Sequence, residues 1–119
     1  MTQHLGNVFK YDLEAEGYDS VEQPGATIRT GTYHIGLMEG VHVGVWEAEP
    51  GLIAGHTDDE IFIVLEGRAE VTFEDTQETI QIGPGDVVRL NPGQRNKWRT
   101  LEPLRKVSVW SEAWRPTSS

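Results

Sequence analysis

The sequence predicts an all-β barrel of jelly-roll type with little or no helix. Three observations carry this: dense Gly and Pro punctuation, short alternating apolar stretches, and no sustained helical period. Thirteen glycines and six prolines divide the 119 residues into segments of roughly 8–12 residues, the spacing of sandwiches and barrels. Residues 1–26 read as a partly irregular N-terminal arm, 27–112 as the barrel and 113–119 as a tail that frays after Trp114. Within the arm, Val8 to Leu13 is a possible edge strand and the acidic run from Leu13 to Gln23 reads as irregular. Thr27 to Ile35 is a second possible edge strand. Val41 to Glu49 alternates strictly, with Val41, Val43 and Val45 on one face, and Pro50-Gly51 ends it. Ile61 to Leu65 is continuously apolar, as in a strand covered on both faces. Arg68 to Glu74 and Glu78 to Ile82 alternate again around a hairpin at Glu74-Asp-Thr-Gln77. After the Gly83-Pro-Gly85 turn come a strand at Asp86 to Leu90 and the tight turn Asn91-Pro-Gly93. Lys97 to Thr100 and Lys106 to Trp110 complete the set, divided by Pro103.

A chain of 13.3 kDa fits one domain, long enough to bury roughly two-thirds of its unfolded surface. The absence of cysteine excludes disulfides and thiolate metal sites, and it fits the cytoplasm. The N-terminus lacks the basic start and apolar run of a signal peptide. No stretch approaches the roughly 20 apolar residues of a membrane span. A net charge of −9 and a pI near 4.8 argue against nucleic acid as a partner. Six of the ten basic residues nonetheless lie between Arg89 and Lys106. They read either as a solvated strand pair facing acidic neighbours or as a basic rim for a small anion.

The chemistry-bearing residues converge on one end. His56 and Glu60 would stand roughly 13 Å apart on a straight strand at about 3.3 Å per residue, too far to share an ion. Thr57-Asp58-Asp59 is turn-forming, so a reversal there would aim both side chains inward. Alternation from Glu60 puts Phe62 and Val64 on the inner face, and the second turn adds Asn96, Trp98 and Thr100. The expected pocket has a polar floor of His56, Glu60 and Asn96 and apolar walls of Phe62 and Trp98. His42 reads as a packed strand histidine, and Trp46 and Trp110 as core or interface aromatics. Lys106 shares strand parity with Trp110, from where it could reach an anionic group or snorkel.

These residues resemble the cupin superfamily, whose first motif runs G-x5-H-x-H-x3-4-E-x6-G and whose second runs G-x5-P-x-G-x2-H-x3-N. His56, Glu60 and Gly67 keep the spacing of the first motif, but its earlier histidine slot falls on Ala54 and its opening glycine on Gly51. Gly85-Asp86 and Pro92-Gly93 fit the second, with Asn91 in the proline slot, Asn96 in the histidine slot and Thr100 in the asparagine slot. The likeness spans roughly residues 35–112. With Gly44 to Gly51, Trp98 and Arg105-Lys106 it is similar to the small single-domain branch related to ureidoglycine aminohydrolase and the ethanolamine-utilisation cupins.

The resemblance implies the double-stranded β-helix fold and a degenerate metal motif. In the metal version His56, Glu60 and Asn96 hold a divalent ion (manganese, zinc, iron or nickel), with the amide a weak ligand. That ion would polarise a substrate or activate water, as in aminohydrolase-like chemistry. In the metal-free version His56 and Glu60 exchange a proton with a small polar or anionic metabolite against Phe62, Trp98 and Lys106. A different reading is a non-catalytic sensing or structural module with a vestigial pocket, which Ala54 favours because it carries no donor atom. A homodimer is expected, since the N-terminal strand and the Val/Ile/Trp edges need covering.

Overall fold

A computed structural model describes residues 3–22, 26–56 and 59–111, except the side chain of His56. The described residues form eight antiparallel strands: β1 (Glu14–Asp19), β2 (Thr27–Met38), β3 (Val41–Ala48), β4 (Gly51–His56), β5 (Asp59–Phe73), β6 (Glu78–Ile82), β7 (Val87–Leu90) and β8 (Arg95–Ser111). No helix occurs among the described residues. The all-β reading holds.

Two long strands organise the barrel. The first part of β5 pairs with β7 and with residues 104–111 of β8, which in turn pair with β3, then β2 and β1. The last part of β5 pairs with β6 and with residues 95–100 of β8, which pair with β4. β5 and β8 therefore pass through both halves of the barrel, and both change direction where their register shifts, at residues 64–69 of β5. Gly67 has φ +90° and lies so close to the facing strand that a Cβ would overlap the Pro103 carbonyl oxygen. Glycine alone tolerates both conditions. Pro103 thus sits inside one strand of 17 residues, not between two separate ones. A ring without an N–H is accommodated at such a bend, where the ladder is already interrupted.

The inner faces meet in a single core of Phe62, Val64, Ala69, Val71, Phe73, Ile82, Val88, Leu90, Trp98 and Leu104. The alternations of β5, β7 and β8 deliver these side chains as the sequence indicates. Four further expectations are corrected. Val8 to Leu13, read as a possible edge strand, holds a turn at residues 8–10 and no strand. Residues 14–19, read as irregular, pair with Thr27–Thr32 of β2, because a fully exposed edge strand needs no apolar pattern. Within one chain Ile61 to Leu65 is covered on one face only: Phe62 and Val64 are buried, while Ile61 and Ile63 remain exposed. β4 and β5 do not form a hairpin. His56 pairs with Arg95 and Asp59 with Ser111, at opposite ends of β8, so the connection crosses between the barrel halves. Thr57 and Asp58 of that connection, and the tail from residue 112, lie outside the described residues.

The basic run resolves into cross-strand pairs. Arg89 meets Asp59, Arg99 meets Glu22, Lys97 approaches Glu74, and Arg105 binds Glu47 at 2.9 Å. These are the acidic neighbours of the first reading, and the exposed pairs among them contribute at most about 1 kcal/mol each; Arg105 is only 14% exposed and also donates to the Val8 carbonyl. Lys106 is different. Its partner lies inside the barrel.

Candidate functional site

Lys106, Ser108 and Trp110 lie on the inner face of β8, two residues apart, opposite Val64, Phe62 and Glu60 of β5. Alternation turns all of them toward the space between the barrel halves. A cavity of about 350 Å³ opens there, lined by Trp46, Trp98 and Trp110, by Ile53, Ala54 and Gly55 of β4 and by Tyr18 of β1. Its polar lining includes Glu60, Asn96, Lys106 and Ser108. The size lies at the low end for a small-molecule pocket.

The polar centre is an ion pair. Lys106 Nζ donates to Glu60 Oε2 at 2.8 Å, and the two side chains are only 8% and 14% exposed. The same nitrogen lies 4.3 Å from the ring centre of Phe62, 4.9 Å from Trp98 and 5.1 Å from Trp46. Each ring face attracts a cation, by up to about 2 kcal/mol when water is excluded. Burial pushes the Lys106 pKa down, and the Glu60 carboxylate pulls it back up through charge and hydrogen bonding. The three rings also favour the charged form. The result is an ammonium held in a cage with a carboxylate on one side.

Two further polar groups define the rest of the site. Trp98 donates its indole N–H to Asn96 Oδ1 at 2.9 Å, and Asn96 Nδ2 donates to the Gln94 carbonyl at 3.3 Å. Ser108 is 5% exposed, and its hydroxyl has no hydrogen-bond partner among the described residues. An unsatisfied buried hydroxyl costs about 1–3 kcal/mol, so a group reaching it from the cavity would recover that loss. Trp110 is positioned from behind. It stacks on His42 at 5.2 Å and 14°, and His42 Nδ1 is 2.9 Å from His34 Nε2. A Cβ on Gly44 would stand 3.1 Å from the Trp110 ring, so glycine gives the indole its seat on β3.

The expected site residues are distributed as follows. Glu60, Asn96, Trp98 and Lys106 line one cavity. Phe62 is fully buried beneath it, touching Trp98 and Lys106 and contributing nothing to the lining. The backbone of His56 pairs with Arg95, and its side chain lies outside the description. Ser108 and the wall positions of Trp46 and Trp110 escaped the sequence reading. Ser108 was findable, since it lies between Lys106 and Trp110 at the same strand parity.

The divalent ion implied by the family resemblance can be tested against these donors. Glu60 Oε2 accepts from an ammonium at 2.8 Å and the Asn96 oxygen from an indole N–H at 2.9 Å. Ala54, in the missing histidine slot, borders the cavity with no donor. No cluster of three His, Cys, Asp or Glu suited to a metal occurs among the described residues. A second cation next to Lys106 would also meet like-charge repulsion. As arranged, the described residues do not fit a divalent ion.

Comparison with known proteins agrees with this architecture. Residues 36–107 match the EutQ-like cupin domain family, and the chain belongs to that family. It is 37% identical to a DUF861 family protein from Thermotoga maritima, over 56% of this chain and 75% of the other, with a TM-score of 0.53. It superposes on the EutQ protein of Clostridium difficile with a TM-score of 0.63 at 15% identity, covering 73% and 71% of the two chains. A Rhizobium leguminosarum protein of unknown function gives 0.63 at 24% identity over 76% and 86%. No curated protein matches the chain. No helix among the described residues is long and apolar enough to cross a membrane.

Proposed function

We propose that this cupin captures a small polar metabolite in the cavity between its barrel halves. The ligand would present an oxygen acceptor, a carboxylate foremost, to Lys106 and Ser108 and lay its body against Trp98 and Trp110. The observation that carries the reading is the buried Lys106–Glu60 pair bordering a cavity of about 350 Å³. Such a pair also suits proton transfer: Lys106 can donate to a developing oxyanion, and Glu60 can accept a proton from the bound molecule. Aminohydrolase-like or other metal-assisted chemistry would require Glu60 and Asn96 to release their present partners. Elemental analysis of protein purified without chelator tests that version.

A library of small carboxylates, amides and keto acids, screened by melting temperature, tests the main reading. Hits are expected with the unmodified protein and are lost in Trp110→Ala, which removes a half-buried wall. A library without a single hit would leave the second reading, a sensing or structural module. Ala54 favours that one, because it puts no donor where the cavity has room for one.

We further propose a homodimer built on the outer face of β5, β7 and β8. Ile61, Ile63, Val87 and Val109 are 45%, 42%, 65% and 39% exposed. They adjoin through the pairs Ile61↔Val109 and Ile63↔Val87. A contiguous apolar face of this kind calls for a partner, and a second copy of the same face supplies one by two-fold symmetry.

A further inference from the structure

Taking this pocket as the binding site, we infer that Lys106 is its resident cation: a tethered ammonium filling the carboxylate-and-aromatic cage that a dissociable cation would otherwise occupy. Four observations converge on it. The nitrogen lies at hydrogen-bond distance from Glu60, within 5.1 Å of three ring centres, almost out of reach of solvent, and beside the cavity. Carboxylate plus converging ring faces is the chemistry that recognises organic ammonium ions. Here the guest is supplied by the chain itself, so its binding is an intramolecular event. Ligand capture by this charge then needs no metal, because Glu60 and three rings fix the ammonium at one point.

The geometry also says what should replace Lys106 once it is removed. Lys106→Ala deletes three carbons and the ammonium, leaving a channel the shape of propylammonium that ends at Glu60. Propylammonium chloride is therefore the probe, with equal sodium chloride as the ionic control, and thermal melting of the full chain is the readout. Lys106→Ala should melt below the unmodified protein and regain about 4 °C at saturating propylammonium. The unmodified protein should show no saturable shift, and Lys106→Ala/Glu60→Gln should lose the regain. Calorimetric titration of the unmodified protein with manganese and zinc needs no variant and decides the matter even if Lys106→Ala does not fold. No binding at one ion per chain is expected.

A divalent ion held one per chain and released by Glu60→Gln overturns the inference. So does a folded Lys106→Ala protein indifferent to propylammonium. Metabolite hits that require added manganese would remove the tethered cation and keep the pocket. A barren library alongside propylammonium rescue would do the reverse.

Discussion

Lys106 and Glu60 are costly residues to bury, and the cost sets what their substitution does. Removing one member of a buried pair leaves the other uncompensated, typically a loss of about 3–5 kcal/mol. Glu60→Gln and Lys106→Met should each destabilise on that scale in urea unfolding. The double variant should lose much less than the sum, since two neutral groups of similar volume remain. Strict additivity would mean that the pair is not coupled.

The pH dependence has a definite sign. Burial holds the folded-state pKa of Lys106 below the ordinary 10.5. Between those two values the unfolded chain binds more protons, so stability rises with pH across that window. The unmodified protein should therefore gain on Lys106→Met as pH climbs toward 10.5; a gain that runs the other way contradicts the burial.

Ser108→Ala removes an unsatisfied hydroxyl and should leave stability unchanged or raised by about 1 kcal/mol. It should weaken any metabolite hit about fivefold, the worth of a modest hydrogen bond. Equal affinity in the variant would take Ser108 out of the site. At this scale the sequence put Glu60, Asn96 and Trp98 on the inner face through strand parity and left Lys106 between reaching an anionic group and snorkelling; all four line the cavity. It could not show that Lys106 meets Glu60, because 46 residues separate them and only the β5–β8 register brings them opposite.

Among the elements, the alternating strands were legible because one face of each is buried, and period-2 patterning records that directly. β1 was not, since a strand exposed throughout leaves no apolar trace. The bend at Pro103 was misread as a break for a related reason: a proline normally ends a ladder, and only the register shifts in the facing β5 make room for it. The approach of Gly67 to Pro103 locks the two bends together. Gly67→Ala should consequently destabilise by about 3 kcal/mol, through steric overlap and the strained φ of +90°. A drop of less than about 1 kcal/mol, the ordinary cost of a helix or strand substitution, would show that the bends adjust independently.

For the whole molecule, the proposed dimer puts the apolar outer face of β5, β7 and β8 at its interface. Ile63→Lys, on the exposed side of β5, places a charge in the middle of that face without touching the cavity. Sedimentation velocity should show a dimer for the unmodified protein and a monomer for the variant, with similar unfolding midpoints per chain. A monomer in both cases would assign the patch to some other partner.

The double membership of β5 and β8 has a mechanical consequence for traffic into the site. Each runs unbroken from one wall to the other, so the walls share two continuous spines and cannot hinge apart like a shell. A guest molecule would therefore enter and leave past the side chains that line the cavity, Trp110 and Tyr18 among them, rather than by a parting of the walls.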